Sequence, residues 1–159
     1  MADHKKYVLS YFLNISKNRE LSEGLTGLAV YKHISGGESI LEAGHRTDHI
    51  CLVVSGLVRG FYIDEEGNDR TKCFSLQGDW CCSYNYLSED PCPFFLEAEQ
   101  DSVLAMFHIP DIAKIKEKFP IYERMVCVFS PNDCTGNSEK KSRREGRGPK
   151  IHSLMMTDF

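Results

Sequence analysis

Hydrophobic positions along this chain recur with two different periods. Near the N-terminus Val8, Phe12 and Ile15, with Leu9 and Tyr11 beside them, stand at helical spacing and predict a short amphipathic helix over residues 5–17. Residues 18–27, carrying Ser22-Glu-Gly24 and Thr26-Gly27, read as a connector rich in turn signals. From Leu28 the period shortens. Leu28-Ala-Val-Tyr-Lys-His-Ile34 and Ser39-Ile40-Leu41 predict two strands, and three more runs rich in β-branched and aromatic residues lie in the stretch from Leu41 to Trp80. Gly44, Ser55-Gly56, Glu66-Gly67-Asn68 and Gly78-Asp79 punctuate these runs, as tight turns between antiparallel strands do.

Beyond Trp80 the pattern loosens into an irregular segment with two prolines, Pro91 and Pro93. It then alternates cleanly: Phe94, Leu96 and Ala98 share one face, and Val103, Ala105, Phe107 and Ile109 line one face of the next strand. Pro110-Asp111 opens a helix with Ile112, Ile115 and Phe119 inward; Pro120 ends it, and residues 121–129 predict a second apolar helix. About eight short strands bracketed by helices predict a mainly β fold: an antiparallel jelly-roll barrel flanked by N- and C-terminal helices. Periodicity is lost after Pro131. The expected organisation is therefore a sheet domain over residues 1–130 and a disordered, basic tail over 131–159.

Composition narrows the function classes. Hydrophobic residues make up 42% and charged residues 26% of 159, ordinary values for a soluble globular domain, and no apolar run reaches membrane-spanning length. The N-terminus lacks an apolar signal core, so a cytoplasmic location without membrane association is expected. Residues 1–130 carry a net charge of −6 and residues 131–159 one of +2. An acidic sheet domain disfavours non-specific nucleic-acid binding. The tail's Lys140-Lys-Ser-Arg-Arg-Glu-Gly-Arg147 reads as a solvated charge run, with phosphate contact as the alternative. Seven cysteines without a Cys-x-x-Cys pair disfavour a disulfide framework and predict reduced thiols serving as small buried hydrophobes. A redox or metal cluster of Cys73, Cys81, Cys82 and Cys92 is the other reading. No nucleophile elbow, P-loop or dinucleotide-binding glycine pattern occurs, so catalysis is not expected.

The order of the N-terminal helix, Leu41-Glu-Ala-Gly44, Ile50-Cys-Leu-Val-Val-Ser-Gly-Leu-Val-Arg59, Glu65-Glu-Gly67 and Phe74 to Gly78-Asp79, followed by a sheet strand and helices, resembles the cyclic-nucleotide-binding domain of the Crp/Fnr family of transcription regulators. The resemblance covers residues 5–129 and rests on glycine placement. It implies a small-molecule effector site. In that family a Gly-Glu pair opens a short helix whose N-terminus and an Arg-Ser/Thr pair hold the cyclic phosphate, with the Glu on the ribose. Here Gly78-Asp79 matches the first pair, with the shorter acid, while Cys92 and Pro93 fall where the arginine and the hydroxyl are expected. Loss of a charge-assisted donor to a buried anion costs about 2–5 kcal/mol, which disfavours cyclic AMP.

The expected ligand-binding residues are Gly78, Asp79, Trp80, Cys81, Cys92, Pro93 and Phe94. Trp80, Tyr84, Tyr86, Phe94 and Phe95 suggest either an apolar pocket for another effector or a core filled by its own side chains. The resemblance implies no cofactor, a homodimer, and DNA as a partner only where a helix-turn-helix exists in a longer form. Gly44-His45-x-x-x-His49 supports an alternative from another class: a cupin-like metal-dependent enzyme using His45 and His49, with His33 or His108 as further ligands.

Overall fold

In a computed structural model the described residues are 2–119 and the two-residue strand Leu154–Met155. The expected second helix over 121–129 and the tail, apart from that strand, lie outside them. Helix α1 spans Ala2–Ser16 and α2 spans Arg19–Leu28. The strands are β1 (Val30–Ile34), β2 (Ser39–Leu41), β3 (His49–Ser55), β4 (Val58–Ile63), β5 (Asp69–Ser75), β6 (Trp80–Cys81), β7 (Phe95–Ala98) and β8 (Ser102–His108). A single turn of helix, α3 (Tyr84–Leu87), lies between β6 and β7, α4 (Ile109–Lys118) follows β8, and β9 is Leu154–Met155. Two antiparallel sheets, ordered β1-β8-β3-β6 and β2-β7-β4-β5-β9, give the expected jelly roll.

Residues 19–28 form a helix where a connector was expected. Leu21, Leu25 and Leu28 stand at i, i+4 and i+7 and pack on the sheet, and Asn18 caps the helix by accepting from the Leu21 N–H at 3.0 Å. The glycines read as turn signals are tolerated inside it. A Cβ at Gly24 would meet Ile115 of α4 at 3.7 Å, so the helices pack closely there.

Two apolar layers result. Ile50, Leu52 and Val54 of β3 face outward with Trp80, Ala105 and Phe107 onto Val8, Phe12, Leu21, Leu25 and Ile112 of the helices. Cys51 and Val53 face inward, with Ile34, Val58, Cys73, Cys81, Phe94, Leu96 and Leu104 from both sheets. Strand β3 is thus covered on both sides, which explains why Ile50-Cys-Leu-Val-Val54 is continuously apolar. The turns are set by glycines with positive φ: Gly44 (86°), Gly56 (102°), Gly67 (85°) and Gly78 (90°).

Candidate interior site

Asp79 and Gly78 close the β5–β6 turn. The Leu76 N–H donates to Asp79 Oδ2 at 2.9 Å, the Asp79 N–H to the Leu76 carbonyl at 2.9 Å, and the Gly78 N–H to the Val53 carbonyl at 2.9 Å. The Asp79 carboxylate, buried, is therefore committed to its own turn. At β6 the alternation of a strand sends neighbours to opposite faces. Trp80 turns outward beneath α1, where its Nε1–H donates to the Tyr11 hydroxyl at 2.7 Å and its ring meets Phe12 and Phe107. Burial holds the Tyr11 phenol well above the usual range, against a smaller opposite pull from the Trp80 bond.

Cys81 turns inward. Cys82 follows in a left-handed conformation (φ 59°), which reverses the alternation and keeps a second consecutive thiol in the interior. Cys92 and Phe94 are buried in the same interior layer, whereas Pro93 is exposed. The Cys92 backbone bridges the Gly44 turn: its N–H donates to the His45 carbonyl at 2.9 Å, and its carbonyl accepts from the Gly44 N–H at 2.8 Å. Of the seven residues expected to bind a ligand, Cys81, Cys92 and Phe94 therefore share the barrel interior. Gly78 and Asp79 build the turn beside it, Trp80 faces the helices, and Pro93 faces solvent.

One residue of this interior was missed. By strict alternation Lys72 belongs on the outer face with Arg70 and Phe74. A bulge intervenes: Gly60 pairs with Cys73 and Phe61 with Thr71, leaving Lys72 as the extra residue of β5. The bulge turns Lys72 inward, 1% exposed, with Nζ 3.6 Å from the Phe94 ring centroid. The Tyr84 ring meets Phe94 edge-on at 5.8 Å. Burial raises the Cys92 thiol above its usual value, and the nearby Lys72 charge pulls against that rise. No sequence signal marks a bulge at Thr71-Lys72-Cys73.

A cavity of about 50 Å³ opens into this layer, lined by residues including Lys32, Thr47, Cys51, Cys82, Leu104 and Met106. Ligand pockets usually span about 300–1,000 Å³, so this cavity is small beside them. Cys51, Cys81, Cys82 and Cys92 are free thiols, in line with expectation, but Cys73 is disulfide-bonded, contrary to it.

The histidine alternative is not supported. His45 is exposed, and its backbone carbonyl, not its ring, is engaged by Cys92. His49 lies 2.6 Å from Asp48, and its ring is tilted against that of His108 with centroids 5.2 Å apart. His108 bridges Asp48 at 3.2 Å and Asp111 at 3.3 Å. These are rim ion pairs at the start of α4. Among the described residues, the one group whose donor atoms converge as metal ligands would is Cys51, Cys81 and Cys82.

Two antiparallel sheets closed around a small interior, with helices on the outer face of one sheet and a glycine-acid turn at its rim, define a sensory jelly roll of the cyclic-nucleotide-binding type. The cyclic nucleotide-binding domain family matches residues 31–119, more than half the chain, and the chain belongs to that family. A fumarate and nitrate reduction regulatory protein of Vibrio cholerae is 22% identical over 108 residues, which are 68% of this chain and 43% of that protein. The catabolite activator protein of Thermus thermophilus superposes with a TM-score of 0.67 at 17% identity, over 86% of this chain and 61% of that one. A c-di-GMP responsive global regulator of Xanthomonas campestris superposes with a TM-score of 0.66 at 12% identity, over 82% of this chain and 64% of that one. The structural likenesses are likenesses of fold. The chain spans about half the length of the curated relatives it matches.

Proposed function

We propose that this chain is the effector-sensing part of a Crp/Fnr-like transcription regulator and that its effector is not cyclic AMP. One observation carries the reading: where a phosphate clamp would stand, the interior presents Cys92, with Pro93 turned to solvent. The cation nearest that position is Lys72, a point charge over an aromatic ring rather than a bidentate fork. The cavity of about 50 Å³ supports an effector much smaller than a nucleotide. The Xanthomonas campestris neighbour responds to c-di-GMP, so effectors other than cyclic AMP are compatible with a barrel of this shape.

In this reading the chain is not an enzyme, works in the cytoplasm and pairs as a homodimer. Among the described residues no helix is long and apolar enough to cross a membrane. DNA contact belongs to a longer form of the protein. The signal leaves through α4, which starts directly at the end of β8 and is tied to the rim by the Ile109 N–H donating to the Asp48 carbonyl at 2.8 Å. Calorimetry tests the proposal: cyclic AMP and cyclic GMP give no heat and no rise in Tm, while a panel of small metabolites includes one that gives both. Micromolar binding of either cyclic nucleotide overturns the effector assignment, and a panel without any response overturns the sensing role.

A further inference from the structure

We infer that Cys51, Cys81 and Cys82 form a binding site for a single soft monovalent metal ion, Cu(I), inside the barrel. The three Sγ atoms lie within 4.8 Å of one another, and all three residues are buried and free of disulfides. Sulfurs at about 2.3 Å from one ion stand about 4 Å apart, so the trio closes on a metal with shifts below about 1 Å. Two features of the backbone assemble it. Cys51 and Cys81 are register partners across β3 and β6, and the left-handed conformation at Cys82 folds the next thiol back to the same side.

The donor set selects the metal. The cavity beside the trio is lined by Cys51, Cys82 and Met106, and Met106 is the register partner of Cys51 on β8, so a thioether stands next to the thiols. Neither imidazole nor carboxylate lines that cavity. Thiolate and thioether without nitrogen or oxygen suit Cu(I), which accepts digonal or trigonal coordination, whereas Zn(II) requires a fourth ligand. The cavity of about 50 Å³ accommodates an ion, and the charge of Lys32 near Cys51 offsets the negative charge of a copper–thiolate unit.

Binding displaces the thiol protons to solvent as the copper–sulfur bonds form, with no change of oxidation state. In the free protein hydrogen bonding to Cys81 heads the causes that hold the Cys51 thiol well above its usual range, and burial adds to it; Cys81 and Cys82 are likewise raised.

The test is an anaerobic titration of the fully reduced chain with Cu(I) against a chromophoric Cu(I) chelator, with a parallel Zn(II) titration, in the absence of any organic effector. One equivalent of Cu(I) retained against the chelator, with a thiolate-to-copper charge-transfer band and a raised Tm, is the expected result. The variant C51A/C81A/C82A loses all three, and M106L weakens retention by about 10-fold or more. A chain carrying C73A, C127A and C134A keeps the equivalent. Should the triple variant fail to fold by far-UV circular dichroism, C51A/C82A serves, since it leaves a single thiol of the trio, short of the two that digonal coordination needs. No retained copper, retention that survives in the folded cysteine variants, or preferential Zn(II) binding overturns the site. Because no effector is present, failure here leaves the sensing role standing, and failure of the metabolite panel leaves the copper site standing.

Discussion

At the scale of single residues, the sharpest demands are steric. Gly56 turns the chain between β3 and β4 at φ 102°, and a Cβ there would lie 2.6 Å from Ser102 Cα, a backbone atom that cannot yield. Gly56→Ala combines left-handed strain with that clash and is expected to cost about 2–4 kcal/mol, read as a lower urea midpoint with an unchanged slope. Trp80 makes a milder demand. Trp80→Phe keeps the ring under α1 but deletes the bond to Tyr11 and leaves a buried hydroxyl unpaired, a loss of about 1–3 kcal/mol by the same measurement. Hydrogen bonds among the three thiols pull in both directions, burial raises all three, and Cys51, Cys81 and Cys82 stand well above the usual range, so in the metal-free folded chain they resist alkylation at neutral pH and react only on unfolding. Mass spectrometry after iodoacetamide pulses, with and without denaturant, checks this; fast labelling of the folded chain would contradict it.

Elements in this fold are specified partly by pattern and partly by neighbours. Helix α1 and strand β7 follow their hydrophobic periods, because each has a well-defined buried face, whereas β3 and β8 are buried on both faces. Helix α2 does not announce itself, since Gly24 and Gly27 lower its intrinsic propensity and only packing against α1 and α4 makes it form. Its cap should therefore matter: Asn18→Ala is expected to remove about 1 kcal/mol, seen in the urea midpoint. On the outer face of the second sheet, Arg59 gathers Asp69 at 2.7 Å, Glu97 at 2.9 Å and Glu99 at 2.8 Å across three strands and lies 4.2 Å from the Phe61 ring. Arg59→Gln leaves three partly exposed carboxylates facing one another. A loss of about 1–2 kcal/mol is expected, and it shrinks as salt screens the remaining repulsion, which denaturation at low and high ionic strength would show.

For the whole molecule, acid is the informative perturbation. Asp64 is held below the ordinary aspartate value of 3.8, chiefly by the Asn68 N–H and by Arg70; Asp69 is held below it by Arg59. Groups lowered in the folded state stabilise it above their unfolded value, and that contribution disappears as pH falls through the lower folded value. Tm should accordingly be flat with respect to these groups near neutrality and fall below about pH 4, and less steeply in Arg59→Gln, which lacks the Asp69 partner. The same scale governs signalling. The described helices stack on one sheet only, so movement of the interior reaches α4 through β8, the strand that contributes Leu104 and Met106 to the inner layer and Ala105 and Phe107 to the helical side.

The sequence alone determined the strand order along the chain, the turn positions and the jelly-roll class, because alternation and positive-φ glycines are local and survive in any environment. It also led to the expectation that Cys92 and Pro93 stand where the resemblance places a phosphate clamp, since that is a matter of residue type at a position. Only the tertiary structure decided which of two buried faces each apolar residue serves. With helices outside and a second sheet inside, Trp80 and Cys81 are equally apolar in sequence yet point to different layers. It alone brought Cys51 to Cys81 and Cys82, thirty residues along the chain, and it alone turned Lys72 inward, because a bulge and a left-handed residue break the two-residue period on which any linear reading depends.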